Sequence, residues 1–126
     1  MRAKEFMKEE ISFSELAQVE RFADSLWKSL GVDVNFSKHF LERVNDERNG
    51  KPITAAELIR LFKKEYERNG KKIASMDDPE AVMKDLLTKI NLPFVIKDRA
   101  NHKELVAKTI MRKPNFYTPD KEFTIN

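Results

Sequence analysis

Two capping boxes, forty-two residues apart, constrain this chain most. Ser12 with Glu15 and Thr54 with Glu57 each place a hydroxyl where it accepts a free N–H of a first helical turn while the glutamate reaches back. After the first box, Leu16, Val19, Phe22, Ala23, Leu26, Trp27 and Leu30 form one apolar stripe, and Gly31 supplies the left-handed residue that ends a helix. Trp27 reads as a core anchor. After the second box, Leu58, Leu61, Phe62 and Tyr66 give a stripe reaching roughly Arg68, where Asn69–Gly70 is expected to stop the helix.

Between the two helices, Val32, Val34 and Phe36 alternate with polar residues, the period of a short extended segment. Ser37 then caps a short helix from Lys38 bearing Phe40, Leu41 and Val44, which should lose regularity in Asn45–Gly50. Residues 80–90 fit either period: Val82, Met83, Leu86, Leu87 and Ile90 recur helically, whereas Val82, Lys84, Leu86, Thr88 and Ile90 alternate. Phe94–Ile96 and Glu104–Arg112 read as an antiparallel hairpin around the polar turn 98–103, and Phe123 with Ile125 as a short edge strand. Helices first and strands last predict an α+β fold: N-terminal helices packed on a small C-terminal antiparallel β-sheet.

A chain of 126 residues fits one domain, with residues 1–11 as a flexible leader and 12–126 as the folded unit, of which 12–31 is a helical extension. No apolar run reaches the roughly 20 residues that span a bilayer, and no membrane partner is expected. The charged N-terminus lacks the apolar core of a signal peptide. With no cysteine and two distant histidines, thiolate chemistry is excluded and neither a metal site nor a cofactor is expected. The net charge is +3, but residues 1–37 carry five Lys/Arg against seven Asp/Glu, so the basic excess lies in residues 38–126. Such a surface suits a phosphate-bearing partner.

Chemistry enters with His39 and Arg43, four residues apart on one side of a helix, since imidazole is suited to proton transfer near neutral pH. In a continuous strand Lys108, Ile110 and Arg112 would share one face, and Thr109 and Met111 the other.

The segments Phe-Ser-Lys-His-Phe-Leu-Glu-Arg-Val-Asn-Asp-Glu-Arg (36–48), Thr-Ala-Ala-Glu-Leu-Ile (54–59) and Leu-Val-Ala-Lys-Thr-Ile-Met-Arg (105–112) resemble the barnase/EndoU/colicin E5-D/RelE-like superfamily of metal-independent ribonucleases, phage and prokaryotic members above all. The resemblance spans residues 32–113. It implies His39 as general acid/base, Arg43 as phosphate contact, and Thr109 and Arg112 lining the same site from the sheet. Lys38, Arg48, Lys108 and Lys113 are the candidate nucleic-acid contacts around it. Arg48 departs from the pattern, standing five residues after Arg43 rather than one helical turn. The reaction implied is attack of the RNA's own 2′-hydroxyl on its phosphate, and the partner is RNA. The alternatives are a catalytically inactive phage structural or interaction protein, and a nucleic-acid-binding protein that does not cleave. The protein is then expected in the host cytoplasm or the phage virion.

Overall fold

The computed structural model describes residues 10–126, so residues 1–9 of the expected leader lie outside the described residues. Both capping boxes form. Helix α1, Phe13–Trp27, begins with the Ser12–Glu15 exchange and runs through a 3₁₀ turn, Lys28–Leu30, into Gly31 at φ 75°. Trp27 is fully buried, its indole N–H donating to the Phe62 carbonyl at 3.3 Å, so the ring anchors α1 on the long helix. Strand β1, Val32–Phe36, and the six-residue helix α2, Lys38–Arg43, follow. Ile11 is buried, exchanging backbone hydrogen bonds with the Asn45 amide; the chain is therefore held in place one residue earlier than the expected leader boundary.

Helix α3, Ala55–Ala74, runs six residues past the expected stop. Its Gly70 is a contact rather than a terminator: a Cβ there would sit 2.8 Å from Leu30 Cδ1, so glycine admits the end of the α1 segment against the α3 backbone. Asn69 stays helical and donates from its amide to Glu65 Oε1 at 2.8 Å.

Strands β2 (Glu80–Asp85), β3 (Ile90–Asp98), β4 (Lys103–Ala107), β5 (Met111–Arg112) and β6 (Lys121–Ile125) complete an α+β fold. The ambiguous 80–90 segment is thus a strand and a turn, which Lys89 closes at φ 66°. The sheet order is β1-β4-β3-β2-β6, with β5 pairing β3 beyond the end of β4. The sheet is mixed, not antiparallel throughout. Its centre, β2-β3-β4, is antiparallel, but β1 lies parallel to β4 and β6 parallel to β2. The short α2, a 3₁₀ turn and α3 separate β1 from the remaining strands, and β1 takes the open edge of β4. On its outer side, the Val34 and Phe36 N–H groups donate to the carboxylates of Asp24 and Glu20, so α1 caps that edge with its own acids. Met83, Leu92, Phe94, Leu105 and Phe123 on one sheet face join the stripes of α1 and α3 in one core.

The expected strand 104–112 is interrupted. Proline has no N–H, so Pro93 in β3 accepts from the Lys108 N–H at 2.9 Å but cannot return a bond. The Lys108 carbonyl is left free and accepts from Ser37 Oγ at 2.8 Å, while Ser37 caps α2 through the Phe40 N–H. Pairing resumes at Asn91 with Met111, so residues 108–110 stand opposite only Leu92 and Pro93. That extra residue is a bulge, which resets the alternation of side chains and bends the strand. It also fastens the start of α2 to the sheet.

Candidate functional site

The bulge and the C-terminal side of α2 enclose a cleft of about 450 Å³, lined by Arg43, Asp46, Arg48, Asn49 and residues 109–113. Two segments sixty residues apart in sequence form its walls, and Asn49 ties them together. Buried in a 3₁₀ turn, Glu47–Asn49, its amide nitrogen donates to the Arg43 and Val44 carbonyls at 3.0 and 3.3 Å. Its amide oxygen accepts the Arg112 N–H at 3.1 Å, so one side chain fixes the distance from the end of α2 to β5.

Asp46 heads the same turn. Its Oδ1 accepts the Arg48 N–H at 2.8 Å and Arg48 Nε at 3.1 Å; its Oδ2 accepts Arg48 Nη2 at 2.9 Å and Arg43 Nη1 at 3.4 Å. The Arg48 side chain first, then the Arg48 N–H and the charge of Arg43, hold the Asp46 carboxyl well below the usual carboxylate range. Arg48 is correspondingly raised by Asp46. The cleft lining holds four cations, Arg43, Arg48, Arg112 and Lys113, against the single carboxylate of Asp46.

The four cations are not equivalent. Arg112 is expected to line the site from the sheet as a functional residue, but its side chain is only 11% exposed and its guanidinium is fully engaged. Nε donates to the Lys51 carbonyl, Nη1 to Glu57 Oε2 and the Thr88 carbonyl, and Nη2 to Glu57 Oε1 and the Pro52 carbonyl, all at 2.8–3.1 Å. A guanidinium has five N–H donors, and all five are used. Arg112 is a staple between β5, the segment before α3 and the β2–β3 turn, with no donor left for a ligand. Burial pushes the Glu57 carboxyl up, yet the Arg112 bonds and the Thr54 N–H outweigh it and leave it below its ordinary value.

Of the remaining predicted residues, Thr109, half-buried, and Lys113, exposed, line the cleft beside Arg43 and Arg48. Lys108 does not: the bulge turns it toward Glu80, and Nζ meets Oε1 at 3.2 Å. Lys38 and His39 are exposed, lie outside the lining, and have no side-chain partner among the described residues. His39 stands one turn before Arg43 on the same side of α2. The second histidine cannot join it. His102 pairs with Asp33 at 3.0 Å at the start of the β1–β4 ladder, whereas α2 leaves its end, about 16 Å away for five paired residues.

Asp46 and Asn49 are the site residues that motif reading passed over. Their signal was the turn-forming run Asn-Asp-Glu-Arg-Asn-Gly, in which an aspartate two residues before an arginine can cap the turn and hold the side chain. Among the described residues, no group of three His, Cys, Asp or Glu is placed to hold a metal ion, and no helix is long and apolar enough to cross a membrane. Comparison with family models, with curated proteins and with solved structures gives no match.

Proposed function

We propose that this protein is a metal-independent endoribonuclease of the barnase/EndoU/colicin E5-D/RelE-like kind, acting at the cleft between α2 and the 109–113 segment. The observation that carries the reading is the meeting of Arg43, Arg48, Thr109 and Lys113 in one cleft, with His39 one turn away on the same side of α2. Helices covering one face of a sheet whose centre is antiparallel support the kinship.

In this reading Arg43 and Arg48 hold the scissile phosphodiester, since their planar forks match its oxygens, and Thr109 donates from its hydroxyl. His39 takes the proton of the adjacent 2′-hydroxyl, whose oxygen then bonds to phosphorus. The bond to the 5′-oxygen breaks, and that oxygen is protonated by His39 or water. The products are a 2′,3′-cyclic phosphate and a free 5′-hydroxyl. Arg112 contributes by holding the wall, not by touching RNA.

A second reading is an RNA-binding or virion interaction protein that keeps the cleft without cleavage. The position of His39 outside the cleft lining and the spent donors of Arg112 favour it. One experiment separates the two. Incubated with mixed RNA in excess chelator, the nuclease yields fragments ending in cyclic phosphate, and His39→Ala lowers the rate about 10²–10⁴-fold with unchanged melting. Intact RNA that is nevertheless bound at low salt decides for the second reading.

A further inference from the structure

Arg43 and Arg48 are like charges that share one oxygen. Nη1 of Arg43 and Nη2 of Arg48 both meet Asp46 Oδ2, at 3.4 and 2.9 Å. The carboxylate cannot simply follow either arginine, because its Oδ1 also accepts the Arg48 backbone N–H and is thereby fixed to the head of the 3₁₀ turn. Three of the ten guanidinium N–H donors are spent on Asp46, and the other seven have no protein acceptor among the described residues. Taken together, two guanidiniums and one carboxylate carry a local charge of +1, equal and opposite to one phosphodiester.

We infer that Asp46 is a positioning residue that holds the Arg43 and Arg48 forks together, so that a single phosphodiester of the nucleic-acid backbone meets both at once. The inference rests on the reading of this cleft as an RNA site and adds to it what sets the geometry. Without the carboxylate the two arginines repel each other, and each rotates freely about a flexible stem. A phosphate would then have to order both side chains as it binds, a cost that Asp46 has already met in the free protein. The consequence runs against simple charge counting. Removing an acid raises the positive charge of the cleft, but affinity falls.

The opposite role for Asp46 is that of an internal anion occupying the phosphate position, which a ligand must displace. Asp46→Asn distinguishes the two. Asparagine still caps the turn through its amide oxygen, so the backbone geometry is kept, while the charge that gathers the arginines is gone. The probe is a short single-stranded oligodeoxynucleotide, which lacks the 2′-hydroxyl and is not cleaved, titrated by fluorescence anisotropy against the full chain at several salt concentrations.

For D46N the expected result is affinity about tenfold weaker at low salt, as for the loss of one charge-assisted hydrogen bond, and a log–log salt slope shallower by about 0.7, one phosphate contact on a single strand. Its melting temperature stays at the wild-type value, and in a background already carrying Arg48→Ala its effect shrinks, because the two changes remove the same arrangement. Affinity equal to or tighter than wild type overturns the positioning role alone, provided Arg43→Ala and Arg48→Ala still weaken binding. If wild type does not bind the probe at low salt, the cleft is no phosphate site and the inference falls with it.

Discussion

Arg112 and the Arg43–Arg48 pair border the same cleft and differ in what their guanidiniums already hold. Arg112 gives all five N–H donors to Glu57 and three carbonyls from two other segments. Arg43 gives one donor and Arg48 two, both to Asp46. The first arrangement is closed and the second is open. An arginine near a site is a ligand contact only if donors remain after the fold has taken its share, and the count of spare donors separates wall from binding surface here.

Arg112→Ala should produce the largest effect on stability. It leaves a mostly buried Glu57 without its cation and three carbonyls without donors, a loss of about 3 kcal/mol, measured by denaturant unfolding. Arg112→Lys should recover little, since three donors cannot replace five in that geometry. The deficit shrinks in acid: Glu57 is held below its ordinary pKa by Arg112, so the pair's contribution is present above the carboxylate range and lost as pH falls through the lowered value. A midpoint unchanged in Arg112→Ala at neutral pH would dissolve the contrast between the two arginine settings.

The same rule sharpens when applied to acids. Glu65 on α3 is fully buried, bonded through Oε1 to Asn69 while Oε2 has no hydrogen-bond partner among the described residues. Burial pushes its pKa up to about 8, with the nearby Asp85 adding to the rise. A raised carboxyl binds its proton in the folded state first, so the chain loses stability as pH climbs from about 4.5 toward 8. Beyond that the contribution is constant. Glu65→Gln should raise the neutral-pH melting temperature and flatten its pH dependence across that window. A variant that melts lower at pH 8 would contradict the assignment.

What the sequence reveals is local. The capping boxes at Ser12 and Thr54, the alternation of β1 and the β3–β4 hairpin depend on neighbours a few residues apart, and all appear where the pattern puts them. What it hides is pairing at a distance. Asn69–Gly70 looks like a stop until Leu30 is seen against Gly70. The 104–112 strand looks continuous until the missing N–H of Pro93 is set beside Lys108. Arg112 looks like a functional residue of the site for the same reason: its partners come from residues 51, 52, 57 and 88, none of them adjacent in sequence. Of the candidate site, Arg43, Arg48, Thr109 and Lys113 converge, whereas Lys38 and Lys108 fall outside and His39 stands at its margin.

Open donors meet phosphates, and salt dependence counts those meetings. RNA affinity of wild type and of the double variant Arg43→Ala/Arg48→Ala, measured from low to moderate salt in chelator with a His39→Ala background to prevent cleavage, tests this directly. The double variant should melt like its parent and lose ~0.7 from the magnitude of the log–log slope, the value for the one phosphodiester on a single strand that both arginines meet. A slope unchanged by removing both arginines would mean that the cleft's open guanidiniums never touch the RNA backbone.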